Sequence, residues 1–185
     1  MAAIDVAGYV ADLKEHSPDH GFHVHDERHF VETYSLRQTY EVDLHPEDGC
    51  GGPLDLHLSL DVEPRILLAF EDAVATLDDQ SDPSDEYFFP LTFTWALPPL
   101  PTSPDLLRIN LDLNGICGRE LPIEVSAIDS FASPLEPAER RLNVVARRPV
   151  SLTKVLKGEE LLCEVFDRCA DVSKFLRDYA EQWLT

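Results

Sequence analysis

Two neighbouring segments of alternating residues constrain the fold more than any other feature of this chain. Apolar side chains recur at every second position from residue 34 to 45, with Gln38 as the exception, and leucines recur in the same way from residue 54 onwards. A period of two is typical of strands that bury one face. The segment between them, His-Pro-Glu-Asp-Gly-Cys-Gly-Gly-Pro, has the composition of a turn. The sequence therefore predicts a long β-hairpin over residues 34–64.

The two faces of this hairpin predict how its strands pair. We assume that the two residue numbers of every directly opposite pair add up to the same value. The apolar face then pairs leucine or valine with leucine. On the other face each histidine then lies opposite an aspartate, and no two like charges are directly opposite. A shift by one residue would put all the leucines of one strand into water, so we expect this register. The pairs are Leu44–Leu56, Val42–Leu58, His45–Asp55 and Asp43–His57.

Length and charge limit the possible partners. A chain of 185 residues suits one domain of ordinary size, and we expect a single domain over residues 1–185. Its 35 acidic residues outnumber 15 lysines and arginines, which gives a net charge of −20. Such a charge repels phosphate backbones and anionic membranes. We therefore expect neither nucleic acid nor a membrane as a partner.

The location of the protein is predicted from its apolar runs and cysteines. The first residues lack the basic and apolar regions of a signal peptide, and the longest uninterrupted apolar run is Ile66 to Phe70. The four cysteines are scattered and form no CxxC motif, so we expect reduced thiols. These features predict a cytoplasmic protein.

Helical spacing of apolar residues predicts three helices. They are a short N-terminal helix over residues 2–16, a middle helix over about 65–78 and a long C-terminal helix over 159–184. A helix of that last length spans about 39 Å, more than a strand of about 30 Å. We therefore expect it to cross the sheet obliquely, to break near Asp171 or to extend onto a partner.

Further alternating segments predict the rest of the sheet. Three of them are expected to form an antiparallel meander, and another follows later in the chain. A short extended segment around Phe22 and Val24 leads into the hairpin. The resulting fold class is α+β, with a curved, mainly antiparallel sheet of about six strands and the helices packed on one face. The meander segments are residues 91–97, 107–113 and 121–127, and the later segment is 140–148.

The two His/Asp pairs of the hairpin are candidate metal ligands. Imidazole and carboxylate groups together suit zinc, manganese or iron, so His45, His57, Asp43 and Asp55 could form a metal site. The alternative is a set of ordinary exposed cross-strand pairs, which contribute little. A metal-dependent hydrolase using this cluster is one possible function, although we expect no cofactor.

Two other groups of residues have weaker patterns. His20, His23, His25 and His29 fit one metal geometry only if the segment is extended and another only if it is helical, so solvated or packing histidines are expected. Several such imidazoles near one another would make the segment sensitive to pH. Arginines can also clamp an anionic ligand, or else balance nearby carboxylates. The arginines concerned are Arg140, Arg141, Arg147 and Arg148.

No motif indicates catalysis, so the sequence favours a non-enzymatic binding or assembly protein. The apolar stripe of the C-terminal helix ends in Tyr179 and Trp183, and such aromatic residues are typical of interfaces. We expect a protein partner or a homodimer, unless the stripe fills the domain's own core. The alternative is a cavity for a small apolar ligand between the sheet and this helix, in a binding protein or an enzyme. Its predicted lining residues are Tyr40, Phe93, Trp95 and Trp183.

Overall fold

A computed structural model describes residues 4–49, 51–77, 81–101, 104–133, 135, 138–160 and 162–184, without the side chains of residues 181, 183 and 184. This part of the chain has an α+β fold, as predicted from the sequence. In chain order, its helices and strands are α1 (Val6–His16), β1 (Phe22–Val31), β2 (Gln38–Pro46), β3 (Asp55–Val62), α2 (Pro64–Ala75), β4 (Phe88–Ala96), α3 (Leu106–Cys117), β5 (Ile123–Ser130), β6 (Glu139–Ser151), α4 (Leu152–Lys157) and α5 (Cys163–Leu184).

The strands form one six-stranded sheet in the order β1-β2-β3-β4-β6-β5, and all neighbouring pairs are antiparallel. One face of the sheet is apolar and contributes to the buried core together with residues from the helices. The other face is polar, as the alternation along β2 and β3 predicts. Among the described residues, no helix is both long and apolar enough to cross a lipid bilayer.

The predicted register of the β2–β3 hairpin is confirmed. Leu44 pairs with Leu56, and Val42 pairs with Leu58, as the constant sum requires. The predicted start of the first strand at residue 34 is wrong, because β2 begins at Gln38. The preceding residues close a turn from β1 to β2, and Leu36 adopts a left-handed conformation with φ of 57°.

The strand β1 is longer than the short extended segment predicted around Phe22. It has 10 residues, of which only Phe22 is buried. Because β1 lies at the edge of the sheet, its other side chains are not required to alternate between core and solvent. Apolar periodicity therefore could not show the full length of this strand.

The prediction of a strand at residues 107–113 is wrong, and the meander that included it is wrong as well. This segment belongs to α3, which begins after Asp105, whose carboxylate accepts hydrogen bonds from two amides of the first turn. Ile109 and Leu113, four residues apart, are buried, whereas Leu107 is 69% exposed. Of the four alternating apolar residues, Ile109 and Leu113 thus form the buried helical face, whereas Leu107 and Leu111 are exposed. In the sheet, β6 lies between β4 and β5.

The C-terminal helix α5 covers the apolar face of the sheet. It begins at Cys163, later than predicted, and continues through Asp171 without a break. Phe166 and Leu176 are buried in the core, and the Trp95 indole N–H donates to Ser173 Oγ at 3.0 Å. The apolar stripe of this helix is therefore buried within the domain as far as Leu176.

Candidate functional site

A cavity of about 710 Å³ lies between α1 and the segment that joins α4 to α5. This volume is within the range of about 300–1,000 Å³ that is typical of small-molecule sites. The apolar part of the wall comes from two segments that are far apart in the sequence, residues 4–16 and 155–166. It includes Ile4, Leu13, Val155, Leu162 and Phe166.

Local sequence features shape both walls of the cavity. The carboxylate of Asp5 accepts a hydrogen bond from the Gly8 amide at 2.8 Å and caps the start of α1. Gly158 ends α4 with φ of 70°, a left-handed conformation in which a side chain would cause strain. The chain therefore turns back at Gly158 towards α5 and leaves the cavity between this turn and α1.

A buried tyrosine and a buried glutamate are among the residues that line the cavity. The Tyr9 hydroxyl is buried and has no hydrogen-bond partner within the described residues. Burial raises the pKa of Tyr9 far above its usual value, and the negative charge of Glu160 raises it further, while Arg148 opposes this. Tyr9 is therefore a neutral phenol that can donate one hydrogen bond and accept another.

The glutamate that lines the cavity is held in place by its own contacts. The side chain of Glu160 is only 4% exposed, and its Oε1 lies 3.3 Å from Nη2 of Arg148. The backbone amide of Ser151 donates to Oε2 at 3.4 Å. Because Arg148 and Ser151 both belong to β6, the sheet fixes the position of this carboxylate.

The mouth of the cavity is acidic. Asp5, Asp12 and Glu15 contribute carboxylates in addition to Glu160, and the described residues that line the cavity include neither lysine nor arginine. Clefts lined by charges of one sign attract ligands of the opposite sign. The cavity therefore favours a cation over an anion.

Two histidines and a cysteine meet beside the cavity, and we call His16, His20 and Cys163 the histidine–cysteine corner. His16 Nε2 lies 3.1 Å from Cys163 Sγ. His20 Nδ1 lies 2.7 Å from Asp167 Oδ1, whereas its Nε2 is buried without a hydrogen-bond partner in the described structure. One potential ligand atom from each residue of the corner lies within 4.8 Å of the other two.

Neighbouring elements hold the corner in this arrangement. His16 ends α1, Pro18 is the second residue of the 3-10 turn Ser17–His20, and Cys163 begins α5. The ring of Phe166 stacks on that of His20 with centroids 5.8 Å apart. Phe166 and His16 also line the cavity, so the corner and the cavity are adjacent.

The structure brings the predicted hairpin metal ligands together as two pairs. His57 Nδ1 lies 2.7 Å from Asp43 Oδ1, and His45 Nδ1 lies 3.7 Å from Asp55 Oδ1. The second nitrogen of His45 accepts a hydrogen bond from the Gly51 amide. A metal ion at these four residues remains a prediction.

Asp43 also has an arginine neighbour, Arg28, in addition to the predicted partner His57. The Nη2 atom of Arg28 lies 2.8 Å from Asp43 Oδ2. Burial alone would raise the pKa of Asp43, but hydrogen bonds from His57 and Arg28 outweigh burial and lower it. Asp43 is therefore a charged group that already has two cationic or donor neighbours.

The residues predicted to line an apolar pocket are divided between two places. Phe93 and Trp95 lie together on β4, with ring centroids 6.4 Å apart, and both are fully buried. Tyr40 lies two strands away on β2 and stacks on His29 at 4.1 Å. The side chain of Trp183 is outside the described part of the structure. The cavity beside α1 has other lining residues.

The remaining sequence candidates have local partners. His23 lies 3.5 Å from Glu47, His29 lies 2.8 Å from Gln38, and the His25 ring contacts that of His45 edge-on. Each arginine of the basic group lies within ion-pair distance of a carboxylate. These pairs are Arg140–Asp129, Arg141–Glu139, Arg147–Glu124 and Arg148–Glu160.

Sequence reasoning missed both the cavity and the corner. One signal was present, because His16 and His20 are four residues apart and follow a helical segment, a spacing that places two side chains on one face. No comparable signal connected them to Cys163, which is 147 positions from His16. Comparisons with protein-family models, curated proteins and solved structures found no match for this chain.

Proposed function

We propose that this protein binds a small molecule with an apolar body and a protonated amine, in the cavity between α1 and the α4–α5 segment. The observation that carries the proposal is the buried Tyr9 hydroxyl, which lacks a hydrogen-bond partner among the described residues and lies at the same cavity as the buried Glu160 carboxylate. A buried hydroxyl without a partner is unfavourable unless a ligand or water provides one. An ammonium group has the donors that the Tyr9 hydroxyl oxygen and the Glu160 carboxylate can accept.

The charges of the cavity support an amine over a carboxylate. Four carboxylates among the described residues line the cavity, and within this part of the chain Glu160 alone of the four has an arginine partner. An anionic ligand would be repelled by Asp12 and Glu15, which are exposed at its mouth. The apolar wall formed by Leu13, Leu162 and Phe166 would bury the body of the ligand.

The proposed role is binding in the cytoplasm, without catalysis by the cavity residues. It is preferred over assembly through the α5 stripe because the part of that stripe from Leu162 to Leu176 is buried in the domain's own core. A ligand site needs an open cavity with converging polar groups, which the α1 region provides.

The test compares two probes of similar shape and opposite charge. We expect 4-phenylbutylamine to bind at least about tenfold more tightly than 4-phenylbutyrate, a difference of about 1.4 kcal/mol. Dissociation constants would be measured by NMR chemical-shift titration with EDTA present, so that no metal ion contributes. Equal affinities, or tighter binding of the carboxylate, would overturn the proposal.

A pair of Leu→Trp variants locates the binding site. Leu156 lines the cavity, so Leu156→Trp should fill it and weaken binding of the amine probe at least about tenfold. Leu107→Trp places the same side chain on the exposed face of α3 and should leave binding unchanged. If both variants bind the probe like the wild type, the amine occupies a different site.

Self-association is a second candidate, which a different observation favours. The apolar side chains Phe30, Val31, Tyr34 and Leu36 are all at least half exposed at the end of the β1–β2 hairpin. Because β1 is an edge strand, a second copy could pair with it in an antiparallel manner. Light scattering should then show a dimer that Val31→Lys disrupts and Leu111→Lys, on α3, does not. A monomeric wild type at micromolar concentration would exclude this candidate.

A further inference from the structure

The histidine–cysteine corner brings three potential metal ligands together. We propose that His16 Nε2, His20 Nε2 and Cys163 Sγ bind one zinc ion. The His16 and Cys163 atoms are 3.1 Å apart, and one potential ligand atom from each of the three residues lies within 4.8 Å of the other two. Ligand atoms around tetrahedral zinc lie about 3.3–3.8 Å apart when the bonds are about 2.0–2.3 Å long. Small side-chain rotations would therefore be sufficient to coordinate the ion.

The second nitrogen of each histidine faces a carboxylate. His20 Nδ1 lies 2.7 Å from Asp167 Oδ1, and His16 Nδ1 lies 3.3 Å from Asp19 Oδ2. Metal-binding histidines commonly donate their second N–H to a carboxylate, which orients the ring and directs the other lone pair to the ion. Both imidazoles of the corner are thus arranged as ligands.

The unpartnered nitrogen of His20 supports an ion over a simple polar cluster. If Nδ1 donates to Asp167, Nε2 carries a lone pair, and this atom is buried without a hydrogen-bond partner in the described structure. The His20 side chain is only 11% exposed, and Phe166 stacks on its ring. A zinc ion would give this nitrogen the partner that the described protein groups do not provide.

The cysteine of the corner differs from the two other thiols that the structure describes. Cys117 and Cys169 are buried, and burial raises the pKa of Cys117 to about 11. Cys163 is partly exposed and begins α5, beside His16. It is therefore accessible both to an ion and to a thiol reagent.

Ligand chemistry selects the metal, and the number of ligands leaves one position open. Two imidazoles and one thiolate suit zinc, with cobalt as a spectroscopic substitute, better than calcium or magnesium. The fourth tetrahedral position would be occupied by water or by a ligand. Since His16 lines the cavity, this position adjoins it. The zinc ion and its thiolate ligand together have a net charge of about +1. This charge is smaller in magnitude than the negative charge of the four carboxylates that line the cavity.

The experiment is a cobalt titration of reduced, untagged protein, followed by displacement with zinc. We expect one equivalent of cobalt to produce a thiolate-to-cobalt absorption band and tetrahedral visible bands, all lost when zinc is added. Cys163→Ser should abolish the thiolate band, and His20→Asn should weaken zinc binding on the order of 100-fold or more. His29→Asn, whose histidine contacts Gln38 outside the corner, should bind like the wild type.

Two further measurements separate loss of a ligand from loss of structure. Asp167→Asn keeps all three ligands and should weaken zinc binding about 10–100-fold. In the wild type, zinc should protect Cys163 from iodoacetamide, as shown by mass mapping of the modified cysteine. The proposal is overturned if the wild type shows no thiolate band, or if zinc leaves Cys163 as reactive as before. Either result is independent of amine binding, which is measured with EDTA present.

Discussion

The β2–β3 hairpin and the histidine–cysteine corner both contain histidines beside carboxylates, and each has one buried imidazole nitrogen without a hydrogen-bond partner among the described residues, but their surroundings differ. In the hairpin, His57 is bonded to Asp43, which also contacts Arg28, and a Gly51 amide donates to His45 Nε2, whereas His45 Nδ1 has no such partner. In the corner, His20 keeps a buried nitrogen without a partner among the described residues, and Tyr9 has an unpartnered hydroxyl in the adjoining cavity.

This difference indicates where in the molecule a ligand is expected to bind. The hairpin belongs to a regular sheet whose strands satisfy each other's backbone groups and bury a continuous row of leucines. The corner and cavity form where helix ends, a 3-10 turn and a loop meet. We therefore expect substitutions in the hairpin to change stability most, and substitutions around the cavity to change binding most.

The largest expected effect is the loss of a hairpin leucine. Leu58 is 1% exposed on a strand with neighbours on both sides, so Leu58→Ala should reduce the free energy of unfolding by about 2–5 kcal/mol. Leu156→Ala, at the partly exposed cavity wall, should cost less than about 1 kcal/mol. Urea denaturation measures both values. Equal losses would contradict the proposed division between the two regions.

The next largest expected effect concerns two hydroxyl groups, one with a hydrogen-bond partner and one without a partner among the described residues. Removing each hydroxyl should change the stability in opposite directions. Ser173→Ala removes the acceptor of the buried Trp95 N–H and should cost about 1–3 kcal/mol. Tyr9→Phe removes a hydroxyl without a partner in the described structure and should raise stability by up to about 1 kcal/mol. Both are measured by urea denaturation without ligand. A loss of stability in Tyr9→Phe would show that this hydroxyl is satisfied within the protein.

The smallest effect concerns the pH dependence of the hairpin. Because its pKa is lowered from the ordinary value of 3.8, charged Asp43 stabilises the fold above about pH 4, and this contribution is lost as the pH falls through the lowered pKa. The contribution of charged Asp43, measured as the difference in stability between the wild type and Asp43→Asn, should shrink as the pH falls below about 4. Urea denaturation at several pH values measures this difference.

A neighbouring variant serves as the control for this pH series. Ser59→Ala changes the same polar face without removing a titratable group, so its difference from the wild type should not vary with pH. A constant difference for Asp43→Asn down to the lowest pH would show that the hydrogen bonds from His57 and Arg28 do not lower the pKa of Asp43.

The sequence predicted the hairpin well because two independent faces had to agree. The leucines of β3 all had to face the core, which a shift by one residue would prevent. The charges of the opposite face agreed with the same register. The same reasoning failed at α3, where Ile109 and Leu113 satisfy a period of two and a helical spacing equally well. The capping carboxylate of Asp105, just ahead of this segment, was the signal for a helix.

The candidate site could be predicted only in part because it is made of distant segments. His16 and His20 have a recognisable spacing, but Cys163, Glu160 and the cavity wall come from elsewhere in the chain. A periodic pattern reports which side of one element is buried. It does not report which helix ends meet in space, and therefore it could not identify this site.

The contacts between α1 and α5 also determine when the site can form. His16 and His20 each meet a partner 147 positions later, Cys163 and Asp167 respectively. During translation, all six strands leave the ribosome before α5 does. A nascent chain therefore gains the cavity and the corner last, when α5 closes over strands that have already been synthesised.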